Sequence, residues 1–297
     1  MTEKRIAVLI NTSSGNQEIS NVVDQIQRSF EAFNLNPKIF LIHSGSDVKD
    51  TTLKALSEGY PIIVAAGGDG TIGTVAAQLA NTSVVLGILP LGTLNHFAKD
   101  LNIPLAIKEA VNVIAGENVS FIDAASVNDR IFINNSSLGI YSHMVKHREK
   151  LQKLGTNKWL AFLRSLLRIL HRYPVWQVQL KSQEKELSIK TPFIFVGNNG
   201  YSLTGLEIGA RTYLNQHFLS IFIAHRHSRF RLLQFAWHIL RGTLEQQEDF
   251  DAYQTQELVI DSRKKFLHIS LDGEVAALAT PLHYKIVPQA LKVIVPK

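Results

Sequence analysis

The stretch Ile62-Ile63-Val64-Ala65-Ala66-Gly67-Gly68-Asp69-Gly70-Thr71 decides the fold. A short apolar run bounded by glycines reads as a buried strand, and the residues after Gly70 read as a helix. A strand, a glycine turn and a helix start in that order point backbone N–H groups at an anion. Glycine lets a phosphate approach the main chain, and the helix N-terminus adds partial positive charge. Gly and Asp are also common in plain βα turns, which is the bland reading of a bare Gly-Gly pair. Asp69 argues against it. An acid among phosphate-binding amides is electrostatically wrong unless a cation or a substrate hydroxyl needs it, so it points to magnesium or to proton transfer. The spacing is neither the dinucleotide G-x-G-x-x-G nor a Walker A loop, and both of those classes are set aside.

Outward from this turn, short apolar runs alternate with helical patterns up to about residue 125, the mark of a parallel sheet covered on both faces. Strands are expected at Arg5 to Asn11, Lys38 to Ile42, Ile62 to Ala66 and Val84 to Leu89. Between the first two, Ile19, Val22, Val23, Ile26, Phe30 and Phe33 recur at spacings of three and four, which predicts an amphipathic helix. Past residue 125 the pattern turns β-rich, at Val175 to Leu180, Leu187 to Val196, Phe218 to Ala224, Leu258 to Asp261 and Phe266 to Leu271. That predicts an antiparallel sheet or sandwich. Helical insertions are expected near Lys158 to Arg172 and Arg229 to Arg241. A closing strand at Leu291 to Val295 is placed to pack back on the first domain. The expected organisation is therefore α/β, with one domain over residues 1–125 and a β-rich domain over 126–297 and a cleft between them.

Bulk properties narrow the function classes. A chain of 297 residues exceeds one ordinary domain. Its 45% hydrophobic and 19% charged residues are those of an ordinary globular protein. No cysteine occurs, which excludes disulfides, thiolate metal sites and cysteine nucleophiles and fits a reducing compartment, the cytoplasm by default. The opening run MTEKRIAVLIN reads as a strand because no small-residue cleavage site comes after it. Thr71 to Ala98 holds no charged residue, yet Pro90 and several Gly, Asn and Thr break it into core helix and strand. The net charge of +6 admits an anionic partner without choosing among nucleotide, nucleic acid and membrane.

Gly67-Gly68-Asp69-Gly70-Thr71 resembles the GGDGT signature shared by diacylglycerol kinases, sphingosine kinases and NAD kinases. Asn11-Thr12-Ser13-Ser14-Gly15 is similar to the N-P-x-S-G nucleotide loop of the lipid kinases. Pro90 to Lys99 resembles their P-x-G-T-x-N-D-F-A-R block, Val196-Gly197-Asn198-Asn199 their x-x-N-N strand end, and Leu271-Asp272-Gly273-Glu274 their D-G-E motif. The matches come in family order over essentially the whole chain. The resemblance implies a first domain of NAD kinase-like fold and a lipid kinase that moves the γ-phosphate of ATP, as its magnesium complex, onto a lipid hydroxyl. Diacylglycerol or a related glycerolipid is the expected acceptor. It also implies that Asn11, Thr12, Ser13, Ser14, Gly15, His43, Gly67, Gly68, Asp69, Gly70, Thr71, Ile72 and Thr93 surround the nucleotide. Asp69, Asp272 and Glu274 are the candidate proton acceptors, and the sequence leaves the choice among them open.

The departures also carry information. The family continues GGDGT with an apolar residue and Asn-Glu, where this chain has Ile72-Gly73-Thr74. His43 stands where a Thr commonly contacts the nucleotide, with Ser44 beside it. Bacterial members hold a structural magnesium with a segment rich in Asp. Here that segment is Gly209 to Ser220, with Arg211, Asn215 and Gln216 in place of acids. Magnesium prefers carboxylates and water, so no protein-held metal is expected.

Lys158 to Arg172 is apolar around most of a helix, with Arg164 and Arg168 stacked one turn apart. His225-Arg226-His227-Ser228-Arg229-Phe230-Arg231 is a second basic cluster with aromatic residues after it. Both suit an anionic membrane face, and both also suit helices with solvated arginines. No nucleic-acid recognition module accompanies them. The expected setting is cytoplasmic and peripheral at the inner membrane face, with a lipid partner and an undetermined oligomeric state, a homodimer included. Two rivals remain: an NAD kinase-like small-molecule kinase, and a lipid- or nucleotide-binding relative with weakened catalysis.

Overall fold

The structure, a computed structural model, describes residues 5–12, 19–139, 175–182, 186–201, 211–224 and 250–297. The expected helices near 158–172 and 229–241 lie outside the described residues. The chain divides into two units, residues 1–124 with 287–297 and residues 125–286.

The first unit alternates β1 (Ile6–Asn11), α1 (Ile19–Glu31), β2 (Lys38–Ile42), α2 (Asp47–Ser57), β3 (Ile62–Gly67), α3 (Asp69–Leu79) and β4 (Val85–Pro90), and continues with α4 (His96–Asp100) and α5 (Ile107–Gly116). The strands pair in parallel in the order β2-β1-β3-β4. Every residue of β1 and β3 is buried, which requires helices on both faces and explains their unbroken apolar sequences. The crossover from β1 goes outward to β2, and the next two return past β1 to β3 and β4. Right-handed connections therefore put α1 on one face and α2 and α3 on the other. Packing agrees, with α1 against α5 and α2 against α3. The strand order reverses between β1 and β3, and the carboxyl ends flanking such a switch point are where open α/β sheets bind ligands.

The amphipathic reading of α1 holds for Ile26 and Phe30, both fully buried. It fails at Phe33, which is 38% exposed. The helix ends at Glu31, and Asn34, in the left-handed region at φ 55°, turns the chain toward β2.

The second unit is antiparallel. β5 (Val119–Val127) begins in the first unit and pairs at its end with β6 (Arg130–Phe132) across the two-residue turn Asn128-Asp129, both at positive φ. Then come β7 (Asn135–Gly139), β8 (Trp176–Ser182), β9 (Glu186–Thr191), β10 (Phe193–Asn198), β11 (Gly200–Tyr201), β12 (Arg211–Tyr213), β13 (Leu219–Ala224), β14 (Phe250–Thr255), β15 (Glu257–Ser262), β16 (Phe266–Leu271), β17 (Glu274–Ala279) and β18 (Leu282–Ile294). Six strands form one sheet in the order β14-β13-β10-β7-β16-β17, while β9, β8, β15 and the start of β18 form another run.

Alternate residues of the two layers meet in one core. Leu138, Ile194, Val196, Ile221 and Ile269 come from the first, and Val178, Leu180, Leu258, Ile260 and Tyr284 from the second. Tyr284 is wholly enclosed, and burial pushes its phenol well above its ordinary pKa while its hydroxyl bonds Ser136 Oγ at 2.9 Å. The run Leu187 to Val196, read as one strand, is two, because Pro192 lacks the N–H that would continue the ladder. The closing strand is longer than the apolar run suggested. It starts at Leu282 in the second unit and ends in the first, where Lys292 and Val293 pair in parallel with Val85 and Leu86 of β4. Among the described residues no helix is long and apolar enough to cross a membrane. The uncharged run from Thr71 is divided between α3 and β4.

Candidate functional site

The glycine turn at the end of β3 is laced to the loop after β4. Leu91 N donates to Gly67 O at 2.9 Å. A Cβ on Gly92 would lie 2.5 Å from Gly68 Cα, and one on Gly67 would lie 2.7 Å from Thr71 Cβ, so a side chain at either position forces the turn open. Asn95, at φ 51°, accepts from Gly92 N at 3.0 Å and donates to Gly92 O at 2.9 Å. Those two bonds hold a tight loop that an L residue other than Asn rarely closes. α3 starts at Asp69, and its first helical bond runs from Ile72 N to Gly68 O at 3.0 Å. The amides of Asp69, Gly70 and Thr71 therefore have no acceptor within the helix by position and supply an anion cradle at its positive end. Asp69 sits at this mouth with Oδ1 accepting from Phe97 N at 3.3 Å, which aims the carboxylate from both loops at once.

The neighbouring strand ends complete the floor. Asn11 Nδ2 donates to Thr71 Oγ1 at 2.8 Å with both residues buried, stitching β1 to the first turn of α3. Thr12 joins β1 to β2 through Ile42 and His43. Thr93 is exposed on the loop after β4. Of the residues expected around a nucleotide, Asn11, Thr12, His43, Gly67, Gly68, Asp69, Gly70, Thr71 and Thr93 thus gather at the carboxyl ends of β1 to β4. Ser13, Ser14 and Gly15 lie outside the described residues. Ile72 is fully buried and its N–H serves α3, so it supports the turn from beneath. At the acid position of the P-x-G-T-x-N-D-F-A-R block this chain carries His96, exposed at the start of α4.

The Asp-Gly-Glu motif lies in the second unit. Asp272 and Gly273, at φ 46° and 89°, form the two-residue turn that pairs Leu271 with Glu274, as Asp-Gly does in hairpins. The Asp272 carboxylate turns inward. Oδ2 accepts from Ile133 N at 2.8 Å, and Oδ1 accepts from Asn134 N at 2.8 Å and Asn135 N at 3.1 Å. The carbonyls of that segment are held too: Ile133 O by Asn198 Nδ2 at 2.9 Å, Asn134 O by Tyr201 Oη at 2.8 Å, and Asn135 O by Asp272 N at 2.9 Å. Asp272 is thereby committed to fixing the entry of β7. Glu274 is exposed at the first position of β17. Sequence reading missed the Ile133 to Asn135 segment and Tyr201. Asn198 was its one visible signal.

The loop where related proteins carry a structural magnesium is organised differently. Asn199, at φ 67°, accepts from Gln216 N at 2.7 Å and His217 N at 3.0 Å through Oδ1, and its own carbonyl takes Ser220 Oγ at 2.7 Å. Asn215 and His217 are both left-handed. Among the described residues no group of three or more His, Asp or Glu is placed to hold a metal. The donors do not fit that ion, because amides replace carboxylates and a buried amide already fixes the loop. The melting temperature of the nucleotide-free protein is therefore expected to be the same in EDTA as in excess magnesium. A shift of several degrees would show a bound structural ion.

Two family models match the chain, the diacylglycerol kinase catalytic domain over residues 5–127 and the YegS C-terminal NAD kinase beta sandwich-like domain over residues 137–295. A diacylglycerol kinase of Staphylococcus saprophyticus is 28% identical over 138 residues, which is 46% of this chain and 45% of that protein. One from Staphylococcus haemolyticus is 31% identical over 134 residues, 44% of this chain and 41% of that protein. The chain spans less than half the length of these curated relatives. A solved diacylglycerol kinase structure from Bacillus anthracis superposes with a TM-score of 0.72 at 18% identity, covering 100% of this chain and 98% of that one. A second solved chain from the same organism gives 0.76 at 20% identity, with the same coverage. At such identity the likeness is one of fold.

Proposed function

We propose that this chain, which belongs to the diacylglycerol kinase family with its catalytic domain and YegS-type C-terminal domain, moves the γ-phosphate of ATP onto the hydroxyl of a membrane lipid. Diacylglycerol or a related glycerolipid is the proposed acceptor. The observation that carries this is the cradle at the carboxyl end of β3, where Gly68 and Gly92 leave room for phosphate, α3 presents its amides, and Asp69 stands at the mouth.

Phosphoryl transfer is largely a matter of positioning and charge, and each part has a role. The amides of Asp69, Gly70 and Thr71 hold phosphate oxygens. A magnesium ion travelling with the nucleotide offsets the charge that develops on the transferred group. Asp69 fits that ion, being a carboxylate held at the phosphate mouth by Phe97 N. Thr93 and Thr12 offer hydroxyls to the nucleotide. In the second unit Glu274 is the proposed acceptor of the lipid hydroxyl's proton, because the oxygens of Asp272 are engaged by Ile133, Asn134 and Asn135.

A panel of lipids with labelled ATP tests the reading. Label is expected in the phosphate ester of a glycerolipid. Label in no lipid, or in NAD, would overturn it.

Peripheral attachment to the inner, anionic face of the cytoplasmic membrane belongs to the same proposal. It rests on the basic clusters of the sequence, each Lys or Arg contributing about 1 kcal/mol near such a surface. Sedimentation with anionic vesicles is expected to weaken as salt rises, and to weaken further in Arg229→Glu with Arg231→Glu. Salt-independent sedimentation, or none with any lipid, would count against it.

A further inference from the structure

We infer that His43 reads the nucleotide's base, accepting a hydrogen bond from the amino group of adenine and so selecting ATP over GTP. The inference rests on the nucleotide reading of the β3 cradle.

The placement of one proton decides it. Thr12 Oγ1 lies 3.0 Å from Ile42 O and 3.2 Å from His43 Nδ1. A backbone carbonyl only accepts, so the single hydroxyl proton of Thr12 goes to Ile42 O. The hydroxyl oxygen is then an acceptor toward the ring, and His43 Nδ1 must carry a hydrogen. In the neutral imidazole that leaves Nε2 bare, a lone-pair acceptor on an exposed residue. Ile42 O also accepts from Thr12 N at 2.9 Å, so the Thr12 side chain is held by its own backbone and the ring orientation is fixed in turn.

Its position suits the base and not the phosphates. The β3 and β2 strands lie on either side of β1, so the carboxyl end of β2 is about 10 Å from the cradle at the usual strand spacing. A ribose and its α-phosphate bridge such a gap. A bare nitrogen lone pair facing a polyphosphate would be repelled, whereas the same lone pair facing adenine N6 meets a donor. Guanine presents the carbonyl O6 at that place, an acceptor against an acceptor. A Thr in this position could donate or accept with equal ease, so the discrimination belongs to the histidine.

The test is direct binding of magnesium ATP and magnesium GTP to the full chain by titration calorimetry. Wild type is expected to prefer ATP by about tenfold, the scale of one well-placed hydrogen bond plus one mismatch. His43→Ala is expected to lose most of that preference by weakening ATP and leaving GTP unchanged. Thr12→Val, which frees the ring's tautomer, is expected to relax it partly. Equal affinities in wild type, or an equal loss for both nucleotides in His43→Ala, would overturn the assignment while leaving the nucleotide site standing. Binding of neither nucleotide by wild type would overturn both.

Discussion

Asp69→Asn is expected to lower phosphoryl transfer by about 10² to 10⁴, the usual loss when a catalytic acid or a metal-positioning carboxylate is removed. The folded structure should be unaffected, for a specific reason. The one hydrogen bond from Asp69 to the α4 loop uses Oδ1 as an acceptor for Phe97 N, and an asparagine Oδ1 can accept in the same place. The residue is half-buried at a helix start and not in the core. What disappears is the negative charge beside the phosphates, and with it the hold on the nucleotide's cation. Binding of ATP without magnesium should change little or improve, since an acid among phosphate-binding amides opposes the anion. Turnover at the wild-type rate, with an unchanged circular dichroism spectrum, would remove Asp69 from the chemistry.

The first unit was legible in the sequence because a parallel sheet buried on both faces writes its strands as apolar runs, and β1 to β4 fell within a residue of expectation. The turn at Gly67 to Thr71 was legible because phosphate approach demands glycine. α4 and α5 were not seen. α4 is five residues long, and its start depends on Asn95 being left-handed, which pattern does not reveal. In the second unit the strand positions were partly visible, yet β17 and β14 escaped because half-exposed strands with mixed side chains carry a weak period-two signal.

The site residues divide in the same way. Motif letters identify types and not partners. Asp272 and Glu274 looked alike in sequence, and so did Asn198 and Asn199. In the structure Asn198 holds the Ile133 carbonyl while Asn199 caps the loop at Gln216 and His217, two different tasks in adjacent residues. His43 appeared only as a departure from a family pattern. Its consequence depends on Thr12 being hydrogen-bonded to Ile42 O, a relation across two strands that neither segment shows by itself.

The two acids of the Asp-Gly-Glu turn should separate cleanly by what each substitution damages. Asp272→Asn keeps the shape and tolerates the left-handed φ of 46°, since Asn is among the few residues that do. It replaces a charged acceptor by an amide whose NH2 group must face a backbone N–H, whichever of Ile133 and the Asn134–Asn135 pair it meets. Charge-assisted bonds to buried amides are worth about 1.5 to 3 kcal/mol each and do not add simply, so a loss of about 2 to 3 kcal/mol of stability is expected. Any fall in turnover should track that loss and recover on cooling. Glu274→Gln sits on an exposed strand end and should change stability by no more than about 0.5 kcal/mol. Its turnover is expected to drop by about 10² to 10⁴ at every temperature, because the glutamine cannot accept the hydroxyl proton. Urea titration and steady-state rates on the two variants decide the matter. Full activity in Glu274→Gln, with activity lost at unchanged stability in Asp272→Asn, would transfer the base to Asp272 and would mean that its three backbone bonds open during turnover.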